Sequence, residues 1–364
     1  MRGYVFRLGA ILLAGALALV PSLASASSSF IGQFNTLTTI ASTVPGNGDV
    51  NPYGVAVVPT TTGKLIRGNI LVSNFNNSQN AQGTGTTIVE IAPNGKVSLF
   101  AQINSSHLPG ACPGGVGLTT ALVALRSGWV IVGSLPTSDG TAATAKAGCL
   151  LVLNRQGQVV ETFSGRLING PWDMTALDGD RLAELFVTNV LNGTVAANGN
   201  VVNKGTVVRI VLSIPDERMP RELSRTVIGS GFGEKTDPNA LVIGPTGVGL
   251  GRDGTLYVAD TLANRVAAIP NALFRVTSAG TGKTISTGGA FNGPLGLAIA
   301  PNGDIIVANA GDGNLVETTP GGTQFPAKTV TPNGGGALFG LAVVPNHTGV
   351  YFVDDGNNTF KLLH

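Results

Sequence analysis

Two stretches of the chain, GPTGVGLGRDGTLYVADTLANRV from Gly244 and GPLGLAIAPNGDIIVANAGDGNLV from Gly293, follow one template. Each runs Gly-Pro, an alternating apolar segment, a polar Asp-Gly or Asn-Gly turn, and an apolar run ending on Val-Ala and a carboxylate or carboxamide. That is a strand, a tight turn and a second strand, and its recurrence decides what the chain can fold into.

Four further copies carry insertions: NPYGVAVVP with GNILVSNFNN, GGVGLTTALVALRSGWVIVGSLP, NGPWDMTALDGDRLAELFVTNVLNG and GALFGLAVVPNHTGVYFVDDGNN. Anchored on Gly54, Gly117, Asp173, Gly247, Gly296 and Gly340, the six copies are spaced 63, 56, 74, 49 and 44 residues apart. A third apolar run follows most hairpins, as in GTTIVEIAPNG and GTVVRIVLSI, and a fourth follows several. Four short antiparallel strands at this period predict an all-β, six-bladed β-propeller of four-stranded blades. The extra length sits between second and third strands, in FNNSQNAQGTG and LNGTVAANGNVVNKG for instance, which assigns it to one face of the disc. The last copy ends at TFKLLH without a fourth strand, so FIGQFNTLTTIAS at 30–42 is expected to close the ring as the outer strand of blade 6.

With 52 Gly, 20 Pro and 12% charged residues in 364, the composition suits strands separated by turns. MRGYVFR, then LGAILLAGALALV, then a small-x-small site ending at Ala26, read as a signal peptide over 1–26, leaving 27–364 as one propeller. An exported, periplasmic or extracellular location follows, without membrane attachment after cleavage. Loss of Arg2 and Arg7 leaves 20 basic and 20 acidic residues, and no basic patch supports nucleic-acid binding. Cys112 and Cys149 flank the second copy and are expected to pair as a disulfide.

The blade sentence resembles the NHL repeat, whose six-bladed propellers are related to the regucalcin and gluconolactonase-like propellers. That resemblance implies the architecture, and as one possible activity a lactonase or lyase with a divalent cation such as calcium. The gluconolactonase-like metal set implies a Glu from an early blade with Asn and Asp from later ones; Asn189 and Asp260 match, and no Glu stands at a blade start. The lyase branch implies His-bound zinc, whereas His107 and His347 fall in loops and His364 is terminal. No G-x-S-x-G, H-E-x-x-H or P-loop motif occurs.

Two sets of residues are candidate ligands. Asp173 replaces the anchoring glycine in blade 3, next to Trp172, and sets a carboxylate and a large ring near the channel mouth. The ends of the second strands align Asn74, Ser134, Asn189, Asp260, Asn309 and Asp355, six short oxygen-bearing side chains that either cap turns or ring the axis. Of these, Asp173, Asn189, Asp260 and Asn309 are the candidate cation ligands. The expectation is a monomeric binding or scaffold propeller for a polar small molecule, a cell-wall component or a protein on the insertion-loop face, with a metal-assisted hydrolase, lactonase or lyase as the alternative.

Overall fold

In a computed structural model, residues 28–215 and 218–364 are described. The signal peptide expected over 1–26 lies outside them. The described strands form six sheets, each wound outward from an innermost strand, around a common axis.

Blade 1 comprises Val50–Val57, Ile70–Asn76, Thr87–Ile91 and Val97–Gln102. Blade 2 comprises Leu118–Ala124, Val130–Ser134, Cys149–Leu153 and Val159–Phe163. Blade 3 is larger, with Gly170–Asp178, Leu182–Val190, Val202–Ser213, Arg221–Asp237 and a short fifth strand, Leu241–Ile243. Blades 4 and 5 begin at Pro245–Leu250 and Pro294–Ile299 and follow the four-strand plan. Of the charged stretch around 215–225, which reads as a solvated connector, residues 221–225 begin the long outer strand of blade 3, where Arg225 pairs with Glu222 and donates to the Ser164 carbonyl, next to blade 2.

Local chemistry sets the hairpins. In blades 4 and 5 the turn between first and second strands needs a left-handed residue, supplied by Gly254 (φ 78°) and Gly303 (φ 92°). The second strands are buried along their whole length, which is why LYVAD and IIVAN read as continuous apolar runs rather than alternating ones. Neighbouring sheets pack face to face, so the apolar core is divided into clusters between successive blades, with one more on the axis.

Closure follows the expectation. Blade 6 contains Leu338–Val343, Val350–Asp354 and Thr359–Leu363, and Leu37–Ser42 pairs antiparallel with the last of these. The preceding residues do something the pattern does not disclose. Phe30, Ile31 and Phe34 enter the core between blades 5 and 6, and the buried Glu317 of blade 5 accepts Phe30 N–H at 2.7 Å, Ile31 N–H at 2.8 Å and the Ser29 hydroxyl at 2.6 Å. Asp304 beside it is raised to about 6, by burial and then by the Glu317 carboxyl.

Cys112 and Cys149 are joined by a disulfide, tying the loop before blade 2 to its third strand.

Candidate functional site

Every innermost strand slips register once: between Pro52 and Val55, Leu118 and Leu122, Pro171 and Met174, Pro245 and Val248, Pro294 and Leu297, and Leu338 and Leu341. The residue just before pairing resumes is Gly54, Ala121, Asp173, Gly247, Gly296 and Gly340 in turn. Blade 2 therefore presents Ala121 and not Gly117, which precedes the inner strand; that strand also carries one residue more within the slip than the others. The same inference comes from contacts: a Cβ on Gly54 would lie 2.9 Å from the Thr120 carbonyl, as one on Gly340 would strike the Tyr53 carbonyl. At this level the inner strands approach too closely for most side chains.

Asp173 is the one ionisable member of the ring, and it reaches the next blade. Its Oδ2 accepts the Val248 N–H at 3.0 Å, and its own N–H donates to Thr188 Oγ1 at 3.0 Å. The carboxyl is buried, and burial raises it to about 7 against the pull of the Met174 and Val248 N–H groups. Asp173 lines an axial cavity of about 320 Å³ with Val55, Leu122, Met174, Val248, Leu297 and Leu341. The lining continues to Val57, Leu250 and Ile299, at the face of the first-to-second hairpins.

The other end of the axis is plugged. The residues preceding the ring include Tyr53, Trp172 and Phe339, and these stack: Tyr53 and Phe339 at 3.9 Å between centroids, Trp172 and Phe339 at 6.5 Å. Trp172 is 2% exposed and donates Nε1–H to the Val242 carbonyl at 3.1 Å. Val242 belongs to the fifth strand of blade 3, which covers the plug with Leu241 held at φ 63°. Gln82 in the blade 1 insertion donates to the Pro238 carbonyl at 2.7 Å, joining that insertion to the turn before the fifth strand. Trp172 thus belongs to a lid-covered plug, and Asp173 to the cavity beneath it. Tyr53 and Phe339 escape sequence reading, although each stands immediately before an anchoring glycine.

The second candidate set does not converge. Five of the six are buried and bond within their blade or to the segment that leads into it, and Asp355 is half-buried. Asn74 donates to the Thr43 carbonyl at 3.0 Å, and Ser134 donates to the Gly115 carbonyl at 2.9 Å. Asn189 Oδ1 accepts the Asn169 and Gly170 N–H groups at 2.8 and 3.0 Å, and Asn309 donates to the Ala290 carbonyl at 2.9 Å. Asp260 pairs with Arg265 at 2.9 Å, and burial, set against that partner, raises its carboxyl. In blade 6 the equivalent register position is Asp354, opposite Leu338, and not Asp355, which begins a 3₁₀ turn. Asp354 pairs with Lys361 and accepts the Thr331 hydroxyl at 3.1 Å. In most blades this residue fastens the chain segment that enters the blade, the turn-capping role for which Asn and Asp are suited.

These bonds also test a shared cation. Asn189 has given its oxygen to two N–H groups, Asp260 Oδ2 to a guanidinium and Asp173 Oδ2 to Val248, whereas Asp260 Oδ1 and Asn309 Oδ1 are buried without a partner. Among the described residues no group of three or more His, Cys, Asp or Glu is placed to hold one.

Comparison with solved structures agrees on architecture. The chain superposes on a gluconolactonase from Xanthomonas campestris with TM-score 0.55 and 12% identity, covering 90% of this chain and 88% of that one. A putative gluconolactonase gives 0.52 at 17% identity over 90% and 91%, and a streptogramin B lyase 0.51 at 14% over 93% and 99%. The shared feature is the ring. The chain has the six-bladed fold of the gluconolactonase-like propellers. At these identities the likeness speaks for the propeller's fold alone. No protein-family model and no curated protein matches the chain. Among the propeller's described residues, no helix is long and apolar enough to cross a membrane.

Proposed function

We propose that this propeller is an exported binding protein that takes a slender small molecule into its axial cavity, the ligand's inner polar end meeting Asp173. One observation carries the reading: Asp173, a buried carboxyl poised near neutrality, stands in an axial cavity of about 320 Å³ lined mostly by aliphatic residues, with Thr120, Thr175 and Asp178 as further polar members. Protonated, it donates to a ligand carbonyl or ether; ionised, it accepts from a hydroxyl or amine. The blade 1 insertion is bonded through Gln82 to the turn before the fifth strand of blade 3, and that strand is bonded to Trp172 over the opposite mouth, which favours entry from the hairpin face instead of the loop face. The disulfide supports an oxidising compartment and hence export.

A second reading rests on the same carboxyl. A value of about 7 matches the demand on a general acid or base at neutral pH, so ring-opening or elimination on a bound ester or lactone is the enzymatic alternative. A thermal-shift screen of alkyl alcohols, amines and medium-chain lactones, with product analysis for the lactones, separates the two. Binding predicts a rise in melting temperature that Asp173→Ala abolishes, without turnover. Lactone consumption lost in Asp173→Ala would establish the enzyme, and a protein indifferent to every compound would overturn both.

A further inference from the structure

On the hairpin face a second cavity, of about 800 Å³, lies between blades 2 and 3. It is lined by Arg126, Trp129, Arg155, Gln156 and Asp180, with the backbone of Gly128 and Gly179. From these we infer a carbohydrate site selective for acidic sugars, in which Arg155 and Arg126 take the carboxylate and Trp129 the ring. The inference does not depend on the axial ligand.

Three features point to a ligand. The first is Arg155, exposed on the turn between the third and fourth strands of blade 2, where its side chain makes no hydrogen bond or ion pair among the described residues. A guanidinium left free beside a concave surface is a ready fork for a carboxylate.

The second is the way Arg126 is held. Its backbone N–H donates to Asp178 Oδ2 at 2.7 Å, its guanidinium donates to the Asp178 carbonyl, and its Nε lies 3.5 Å from the same carboxylate. Its side chain nevertheless stays 55% exposed. The Asp178 contacts fix its direction and leave donors facing the cavity, so binding freezes less of it.

The third is Trp129. Half-buried, it packs one part of its indole on the core between blades 2 and 3 and turns the rest to the cavity, with Nε1–H bonded to no described residue. An aromatic face fixed by its own core, with a spare donor at the rim, suits a ring that is apolar on its faces and hydroxylated at its edges. Gln156 has a free side-chain amide beside it for hydroxyls. Among the described lining residues the charged side chains are Arg126, Arg155 and Asp180, and with Arg126 paired to Asp178 it is Arg155 that supplies the unpaired positive charge. Charge selects the acid, and the indole selects the sugar over a bare anion. The cavity is large enough for two or three sugar rings.

The test is titration calorimetry of the propeller with trigalacturonate, maltotriose and inorganic phosphate, with tryptophan fluorescence recorded in parallel. The site predicts saturable trigalacturonate binding with a change in Trp129 emission, weakened by added salt. Maltotriose and phosphate should each bind at least tenfold more weakly. Arg155→Ala should lower trigalacturonate affinity at least tenfold, Arg155→Lys less, and neither should shift melting, since Arg155 holds nothing in the fold. Trp129→Phe, which keeps the packing, should weaken the sugar and leave phosphate unchanged. Asp173→Ala should leave this binding intact, so failure here is separable from failure of the axial site. No trigalacturonate binding, equal binding of maltotriose or phosphate, or an affinity indifferent to Arg155→Ala would each overturn the assignment.

Discussion

Asp173 Oδ2, on the innermost strand of blade 3, accepts the backbone N–H of Val248 on the innermost strand of blade 4. The bond spans the gap between two blades at the level where the other positions of the ring are Gly or Ala. It fastens the ring and, in the same stroke, sets a buried carboxyl at the axial cavity.

That burial has a sign. A carboxyl at about 7 in the folded chain, against 3.8 as its ordinary value, binds its proton more tightly when folded. Its contribution is most favourable in acid and is lost as pH rises from about 4 through about 7. Asp173→Asn removes the dependence. Urea unfolding at pH 5 and pH 8 should show the variant gaining about 2–3 kcal/mol on wild type between the two. The variant keeps a residual slope from Glu234 and Asp355, both raised to about 7 chiefly by burial. Parallel curves for the two proteins would refute the assignment.

The glycine ring makes an asymmetric prediction. A Cβ on Gly296 would run into the Phe339 carbonyl, which as backbone cannot swing away. Gly296→Ala should therefore destabilise by more than about 3 kcal/mol. Ala121→Gly, at the equivalent position of blade 2, should lose only about 1 kcal/mol. Denaturant midpoints of the two variants measure this directly.

The Cys112–Cys149 bridge closes a loop of 37 residues. Loop-closure entropy puts its worth at about 3–4 kcal/mol. Denatured, unreduced protein should show no free thiol, and the double Ser variant should melt lower by a matching amount. Two titratable thiols would remove the prediction.

Removal of 27–42 should lower the melting temperature sharply and promote aggregation, because it bares the edge of Thr359–Leu363 and uncovers the core that Phe30, Ile31 and Phe34 complete. A point variant isolates the docking from the pairing. Glu317→Ala strips three hydrogen bonds from residues 29–31 and should cost about 3–5 kcal/mol while the closing strand stays paired. An unchanged melting curve for the truncated chain would sink the closure argument.

The sequence by itself determined the six blades, their hairpins, the closing strand and the pairing of two cysteines. These follow from local signals: Asp-Gly and Asn-Gly turns, apolar runs of strand length, and the single unmatched strand at each end. In blades 2 and 6 the local signal failed. In blade 2 the Gly-x-Gly pattern pointed to Gly117, which lies before the strand Leu118–Ala124, and the register put Ala121 at the anchor; in FVDD the register selected Asp354 over Asp355. Only the tertiary structure decided what the marked residues do. Asn74, Ser134, Asn189 and Asn309 recur in a pattern that a ligand ring and a set of loop fasteners would share, and the direction of each side chain, fixed by packing, chose the fasteners. Tyr53, Trp172 and Phe339 lie far apart in the chain and meet because ring closure brings the first blade against the last. The raised proton affinity of Asp173 has the same origin: a carboxyl takes its proton affinity from the atoms that replace water around it, and many of those come from other blades.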